Sequence, residues 1–304
     1  MNVRHALQRD AGDPLVLAIG FFDGMHRGHQ DIARETLRLR KPGWRAGVLT
    51  FSNHPSSYLR PDSQPPLICT REERVDLFAR YGFEECFLIP FDASVASRIA
   101  EDFLRDVLIG GLGVRGVVVG EHFRFGHERA GDTALMARFF AERGVALVRV
   151  ADTTEGGERI SSTRIRRLVG EGRTGDADRL LGHSYELRGR VVLGAGRGHD
   201  LGFPTANLEP PSKLLPKDGV YAATARYDGC DRPALVSIGT NPTFDGSSRT
   251  IETWLRDFHE TIYGRELVIR DLRYIREQRK YDDVAALLKQ MNEDQNAVAF
   301  PSYG

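Results

Sequence analysis

The sequence predicts two domains: an α/β domain on a doubly wound parallel sheet over residues 1–183, and an antiparallel β-barrel with a terminal helix over residues 184–304. In the first range, short apolar runs alternate with helical segments, which is typical of a parallel sheet covered by helices. In the second range, strand-like segments follow one another between Gly and Pro loops. A chain of 304 residues also exceeds the usual size of one hydrophobic core.

The first domain opens with a strand, a Gly-containing loop and a helix, predicted at PLVLAIGFF and HQDIARETLRLR. Further strands are predicted at AGVLTF, ECFLIPF and RGVVVG, and helices at REERVDLFARYG and ALMARFFAERG. The segment SSTRIRRLVGEGRTGDADRLLG predicts two short helices, divided at Gly172 and Gly175, that lead out of the domain.

The second domain is predicted to contain strands at YELRGRVVL, GVYAATARY, ALVSIG, IETWLRDF and ELVIRDLRYI. The final segment, DDVAALLKQMNEDQNAVA, has the spacing of an amphipathic helix. Its apolar positions are Val284, Leu287, Leu288 and Met291.

The overall charge argues against a polyanionic partner. Lys and Arg number 42, as do Asp and Glu, so no global field favours nucleic acid or a membrane surface, and any anion site must be local. The segment MNVRHALQRDAGD lacks the apolar core of a signal peptide, which predicts a cytoplasmic protein. Cys69, Cys86 and Cys230 lack metal-ligand spacing, and we expect them to be reduced and structural.

The segment GFFDGMHRGH, residues 20–29, predicts an anion site because it joins the first strand to the first helix. Free backbone N–H groups and the helix dipole favour a phosphate there, and Gly28 permits close approach. His26 and His29, three residues apart, can both reach phosphate oxygens and stabilise charge during transfer of a nucleotidyl group. Isolated histidines at a helix start are more often surface or capping residues, but the surrounding glycines favour the phosphate interpretation.

The segment ISSTRIR, residues 160–166, places hydroxyl groups at a predicted helix N-terminus and guanidinium groups on the next turn. Together, these hydroxyl and guanidinium groups can bind a pyrophosphate from several sides. Taken alone, the pattern more often indicates an ordinary Ser/Thr cap with a solvated basic face. The His-x-Gly-His motif in the same domain favours pyrophosphate binding.

In the second domain, the segment GAGRGHDLGFPTAN, residues 194–207, joins a glycine-rich loop to an extended stretch. Glycines let backbone amides approach phosphates. In an extended stretch Thr205 and Asn207 project to the same side and offer oxygen ligands to a hard cation such as Mg²⁺. A glycine-rich hairpin with Pro at a strand start is the alternative interpretation.

These motifs resemble the bacterial bifunctional riboflavin kinase and FAD synthetase (FMN adenylyltransferase) family. The resemblance runs through GFFDGMHRGH, TFSNHP at 50–55, VVVGEHFRFGHERAGD at 117–132 and ISSTRIR. In the second domain, GFPTAN is similar to the riboflavin kinase motif and is followed by DGVYAA, SIGTNPTFDG and Ile251-Glu252. The resemblance implies a Rossmann-like nucleotidyltransferase domain followed by a riboflavin kinase barrel.

For the first domain, the resemblance implies that FMN attacks the α-phosphate of ATP, giving FAD and pyrophosphate. The α-phosphate would lie against His26 and His29. Other nucleotide-binding positions would be Gly20, Phe22, Gly28, Ser161, Ser162, Thr163 and Arg166. Flavin-binding positions would be Asn53, His54 and Phe125 in this domain and Arg276 in the second domain.

For the second domain, the resemblance implies that Thr205 and Asn207 coordinate Mg²⁺ and ATP, and that Glu252 is the general base on the ribityl 5′-hydroxyl of riboflavin. Gly196 and Gly202 would approach the phosphates. The expected cofactor is Mg²⁺, with ATP as co-substrate and riboflavin, FMN and FAD as substrates or products. The expected partners are these small molecules, without nucleic acid or membrane, and a homo-oligomer is left open.

The chain departs from the family pattern at four positions. The family usually has Asp at His122, commonly Pro at Asn53, and an apolar residue and His at Thr253 and Trp254. Two alternatives therefore stay open beside the bifunctional enzyme. One is a chain that retains only one of the two activities, and the other is a nucleotide- or RNA-binding regulator without turnover.

Overall fold

The computed structural model describes residues 1–9, 12–193, 205–243, 246–279 and 284–297. Backbone contacts divide the chain into two compact units, Met1–Ser162 and Thr163–Gly304. The sequence prediction placed the boundary after residue 183. Residues 163–183 are therefore part of the first domain in the prediction and part of the second unit by backbone contacts. The structure joins that stretch to the barrel, because the Thr174 hydroxyl donates a hydrogen bond to the Leu272 carbonyl and Arg273 pairs with Asp178.

The first unit is built on a six-stranded parallel sheet in the order β1-β4-β3-β2-β5-β8, with two small antiparallel pairs, β6–β7 and β9–β10. The strands are β1 (Asn2–Arg4), β2 (Leu15–Ile19), β3 (Arg45–Phe51), β4 (Glu85–Ile89), β5 (Val114–Gly120), β6 (Arg124–Phe125), β7 (Gly131–Asp132), β8 (Ala146–Val150), β9 (Thr154–Glu155) and β10 (Glu158–Arg159). Strand order reverses between β2 and β5. Ligands of open α/β sheets bind beyond the carboxyl ends of the strands at such a switch point.

Helices pack on both faces of this sheet, as the doubly wound prediction requires. Alternate residues of β2 enter two hydrophobic clusters, Leu15 and Leu17 in one, Val16 and Ala18 in the other. The helices of the chain before the barrel are α1 (Arg27–Leu39), α2 (Pro55–Leu59), α3 (Arg71–Arg80), α4 (Ala93–Ala96), α5 (Ala100–Asp102), α6 (Thr133–Ala141), α7 (Ser162–Gly170) and α8 (Thr174–Leu181). A π-helical segment spans Phe103–Gly111.

The second unit contains a closed antiparallel barrel in the order β11-β12-β15-β14-β13-β16, which confirms the predicted architecture. Its strands are β11 (Leu187–Val192), β12 (Thr205–Leu208), β13 (Gly219–Tyr227), β14 (Cys230–Thr243), β15 (Gly246–Leu255) and β16 (Glu266–Arg276). The predicted terminal helix is present as α9 (Val284–Ala297). The side chains on its predicted apolar face lie outside the described residues.

Two local details differ from the sequence prediction. The break between α7 and α8 contains Gly172, which has a φ of 77°, whereas Gly175 lies inside α8. β1 and the two-residue strands were not predicted, because so few residues show no periodicity. Among the described residues, no helix is long and apolar enough to cross a membrane.

Candidate active sites

The loop after β2 is held in a conformation that few residues adopt. Phe22, Gly24 and Met25 have φ values of 59°, 77° and 41°. The Phe22 side chain is 4% exposed, and a Cβ atom on Gly20 would lie 2.9 Å from its ring. Gly20 is therefore needed for close packing, and Phe22 can offer a ligand its backbone but not its buried ring.

His26 and His29 are brought together at the start of α1. The His26 carbonyl accepts hydrogen bonds from the backbone N–H groups of His29 and Gln30, at 2.7 and 3.0 Å. The imidazole rings stack with centroids 3.6 Å apart, and the edge of Phe22 approaches the His29 ring at 5.2 Å. A Cβ atom on Gly28 would lie 3.4 Å from the His26 ring, so the absence of a side chain here leaves space beside the two imidazoles.

The electrostatics of this pair favour a neutral His29 when no ligand is present. Burial of the ring lowers the pKa of His29 well below its usual value, and the charges of His26 and Arg159 act in the same direction. Among the described residues, the buried Nδ1 atom of His29 has no hydrogen-bond partner. A phosphate at the helix start would reverse part of this effect, because an anion favours a protonated imidazole.

Asp23 fixes the histidine segment to two other parts of the first unit. Its buried carboxylate accepts hydrogen bonds from the backbone N–H groups of Ile68 and Cys69, at 3.0 and 3.3 Å. Its backbone carbonyl accepts one from the Ser162 hydroxyl at 3.1 Å. The predicted hydroxyl cluster thus adjoins the histidine motif at Ser162. Thr163 and Arg166 belong to the second unit by their contacts.

A largely apolar cavity of about 440 Å³ lies in the first unit at the carboxyl ends of the central strands. Its lining comes from β2, β3 and β4 and from the loop after β5. Gly20 and Phe21, which begin the histidine segment, are part of the lining. So is Phe125, which stacks on Phe123 with ring centroids 5.8 Å apart. A ligand in this cavity would therefore lie directly beside the histidine segment.

The polar side chains of this cavity are few and mostly cationic. Arg98, Arg124 and Arg129 line it, together with Glu128. Glu128 and Arg129 both have left-handed backbone conformations, with φ values of 51° and 60°. Two such residues in succession are strained and are more common at functional sites than elsewhere.

His122, where the family usually has Asp, also lines the cavity. Its Nε2 atom lies 3.3 Å from a carboxylate oxygen of Asp152 and 3.6 Å from one of Glu121. The three side chains come close enough to share one metal ion, but His122 and Glu121 are exposed. Two carboxylates thus adjoin the imidazole at this edge of the cavity.

Asn53 and His54 hold the loop after β3. The Asn53 amide donates to the Phe91 carbonyl and accepts from the Phe91 N–H, at 3.1 and 2.8 Å. His54 is the N-cap of α2 and accepts from the Ser56 N–H at 3.1 Å. These contacts give His54 a capping role, and they hold both residues near Pro55, which lines the cavity.

On the barrel, β12 and β15 bring three predicted site residues together. Asn207 lies directly opposite Glu252 in the ladder, and Thr205 lies two residues from Asn207 on the same face. All three are half-buried, whereas the intervening Ala206 and Thr253 are buried inside the barrel. A hydroxyl, an amide oxygen and a carboxylate thus share one outer face.

Other predicted positions are placed elsewhere or lie outside the described residues. Arg276 forms a buried pair with Asp294 of α9, with its Nε and Nη2 atoms 3.0 and 2.7 Å from the carboxylate oxygens. Gly196 and Gly202 lie outside the described residues.

Comparison with known proteins identifies the family. A family model described as FAD synthetase matches residues 8–164, and one described as riboflavin kinase matches residues 181–299. The chain belongs to the bifunctional riboflavin kinase/FMN adenylyltransferase family. Bifunctional riboflavin kinase/FMN adenylyltransferase of Listeria monocytogenes is 34% identical, covering 92% of this chain and 90% of that protein. The Escherichia coli K12 protein of the same name is 32% identical, with 96% and 94% covered.

A solved structure described as a macrolide-efflux protein from Streptococcus pneumoniae is also similar over 99% of this chain and 100% of that chain. Its TM-score is 0.90 at 30% identity. The family membership confirms the resemblance that the sequence motifs predicted.

Sequence reasoning missed the cavity itself. Its walls come from segments separated by more than a hundred residues, including Leu7, Phe51 and Phe123, which no local motif connects. It also missed the anchoring role of Asp23, although the position of this acid within the histidine segment was visible.

Proposed function

We propose that the barrel phosphorylates riboflavin with ATP to give FMN, and that the first unit transfers AMP from a second ATP to FMN to give FAD and pyrophosphate. The observation that carries the adenylyltransferase assignment is the apolar cavity that begins at Gly20 and Phe21, beside the stacked histidines. An isoalloxazine ring is large, flat and mostly apolar, and such a cavity suits it.

In the adenylyltransferase site, His26 and His29 face the α-phosphate and stabilise the charge that develops as the FMN phosphate attacks. The backbone of Gly20, Phe22 and Gly28 lets the nucleotide approach the start of α1. Ser161, Ser162, Thr163 and Arg166 hold the outer phosphates. Phe125 packs against the flavin, and Asn53 and His54 border it.

The arginines of the cavity wall suit a substrate that carries its own phosphate. Arg98 is half-buried, and its Nε atom is buried with no hydrogen-bond partner among the described residues. Asp106 contributes a nearby negative charge, but a guanidinium Nε atom buried in an apolar wall is still costly to leave without a hydrogen-bond partner. This supports FMN rather than riboflavin as the flavin accepted by the first unit.

In the kinase site, Glu252 accepts the proton of the ribityl 5′-hydroxyl as that oxygen attacks the γ-phosphate of ATP. The donor set of Thr205 and Asn207 consists of neutral oxygens, which fits Mg²⁺ bound together with ATP phosphates. When bound, the cation supplies charge neutralisation at the phosphates. Gly196 and Gly202 stay predicted phosphate contacts.

The substrates place the reaction where ATP is abundant, so we also propose a cytoplasmic location. The buried cysteines Cys69 and Cys86 are not in disulfide bonds, which agrees with a reducing compartment. The proposed partners are small molecules. A nucleic-acid partner has no support in the zero net charge.

Two substitutions test the assignment of the sites. Glu252→Gln should lower FMN formation from riboflavin by about 10²–10⁴-fold, while FAD synthesis from supplied FMN persists. His29→Ala should have the reverse effect. The measurement is chromatographic separation of riboflavin, FMN and FAD after incubation with Mg-ATP.

The same assay tests for the loss of one activity, and a separate RNA-binding measurement tests the regulator alternative. Formation of only FMN, or of FAD only from supplied FMN, would indicate that one activity has been lost. RNA binding that weakens with salt, without ATP consumption, would favour the regulator. Loss of both activities in either variant would contradict independent sites.

A further inference from the structure

The outer face of the barrel carries two parallel rows of side chains, which the ladder register defines. Glu252 lies opposite Asn207 on β12 and opposite Ser237 on β14. Trp254 lies opposite Thr205 on β12 and opposite Leu235 on β14. Residues directly opposite in an antiparallel ladder have Cβ atoms about 4.5–5.5 Å apart on the same face. The polar row is thus Ser237, Glu252, Asn207, and the second row is Leu235, Trp254, Thr205.

On β15, burial shows that Glu252 and Trp254 point away from the interior. Ile251, Thr253 and Leu255 are 1%, 0% and 3% exposed, whereas Glu252 and Trp254 between them are half-buried. Because successive side chains of a strand alternate between faces, the indole shares the face of the proposed base.

Leu235 lies on the outer face and yet is only 5% exposed, so the second row ends against packed protein on that side. At the other end of the row Thr205 is half-buried and so keeps part of its surface exposed to solvent. The indole therefore flanks the ligand site between an apolar, covered end and the proposed metal ligands.

The distance between the rows decides which substrate meets the indole. Glu252 and Trp254 are two residues apart on β15, which corresponds to about 7 Å along the strand. In riboflavin, one five-carbon ribityl chain separates the 5′-hydroxyl from the isoalloxazine ring. In ATP, two further phosphates and a ribose separate the transferred phosphoryl group from adenine. An aromatic side chain one row from the base is thus placed for the flavin.

We propose that Trp254 stacks on the isoalloxazine ring of riboflavin and determines the affinity of the kinase site for its flavin substrate. This inference rests on the proposed placement of the 5′-hydroxyl at Glu252. Indole and isoalloxazine are both extended aromatic systems that favour offset stacking. Trp254 is a binding residue and takes no part in proton transfer.

The kinetic test compares Trp254→Ala with Trp254→Phe in the full-length chain. Trp254→Ala should raise KM for riboflavin about ten-fold, with KM for ATP unchanged. Trp254→Phe, which keeps an aromatic ring, should raise it less than about three-fold. Trp44, the other tryptophan, lies in the first unit beside Lys41, so Trp44→Phe is the matched control and should leave both constants unchanged.

A spectroscopic test does not depend on turnover. Riboflavin bound to the kinase site with Mg-ADP should show a long-wavelength charge-transfer absorbance, because a stacked indole is an electron donor to flavin. This absorbance should persist in Trp44→Phe and disappear in Trp254→Phe. Its persistence in Trp254→Phe would overturn the proposal.

The remaining outcomes are also decisive. A rise in KM for ATP instead of riboflavin would place the indole at adenine and would overturn the proposal, as would unchanged constants in Trp254→Ala. If Glu252→Gln keeps full kinase activity while Trp254→Ala still raises KM for riboflavin, the assignment of the base fails and that of Trp254 stands.

Discussion

Replacing Thr253 with valine is expected to stabilise the barrel. The Thr253 side chain is completely buried in the barrel interior, and its hydroxyl has no hydrogen-bond partner among the described residues. Its neighbours across the ladder are Ala206 and Val236, which offer only apolar side chains. Valine has nearly the same shape and adds no polar atom.

The magnitude follows from the cost of the hydroxyl. A buried hydroxyl without a partner costs about 1–3 kcal/mol. Thr253→Val should recover most of this, so we expect a gain of about 1–2 kcal/mol in the free energy of unfolding. For a unit of this size the thermal midpoint should rise by about 3–8 °C.

Thr174→Val is the matched control for this substitution, because it removes a hydroxyl of the same unit that does have a partner. The buried Thr174 donates a hydrogen bond to the Leu272 carbonyl, so this variant should lose about 1 kcal/mol. Urea unfolding in the Trp44→Phe background, followed by Trp254 fluorescence, reports the barrel alone. Equal losses in Thr253→Val and Thr174→Val would refute the reasoning, since the Thr253 hydroxyl would then have a partner.

Three further predictions concern the first unit and the cysteines. The pKa of His29 is lowered in the folded protein, so the unfolded chain takes up the proton more readily as pH falls below about 6.5, and the free energy of unfolding should decrease. The urea midpoint of His29→Asn should therefore depend less on pH in that range than the midpoint of the unsubstituted protein. Equal pH dependence in the two proteins would contradict this. Gly20→Ala places a Cβ atom 2.9 Å from the Phe22 ring and should cost about 1–3 kcal/mol and lower FAD synthesis, with FMN formation unchanged. Ellman's reagent should react rapidly with one thiol of the native protein, that of the exposed Cys230. Cys69 and Cys86 are buried, and burial raises the pKa of Cys86 to about 12. A second rapidly reacting thiol would contradict this prediction.

The parts of the sites that could be predicted depend on short-range geometry. The strand at Leu15–Ile19 and the helix after it follow from periodicity, and they fix where His26 and His29 lie. Likewise, an extended stretch necessarily turns Thr205 and Asn207 to the same side. In both cases the residues that act together are within three positions of each other.

The parts that could not be predicted depend on which strands become neighbours. No local pattern shows that Asn207 lies opposite Glu252, because that pairing joins strands separated by two others in the chain. The family resemblance supplied the role of Glu252, and only the register shows that Trp254 belongs to the same face. The grouping of α8 with the barrel has a similar cause, since the ion pair between Asp178 and Arg273 joins segments far apart in the chain.

Arg276 shows how a charged residue near a site can act through packing. The sequence resemblance placed it with the flavin, but its guanidinium pairs with Asp294, whose side chain is 4% exposed. Removing one partner of a buried ion pair costs about 3–5 kcal/mol, because the other charge is left buried. Arg276→Ala and Asp294→Ala should therefore both loosen α9, which hydrogen exchange of its amides would report. If both variants loosen α9 equally but only Arg276→Ala raises KM for riboflavin, then Arg276 also contacts the flavin. If both variants raise KM equally, the role of Arg276 is to hold α9 in place.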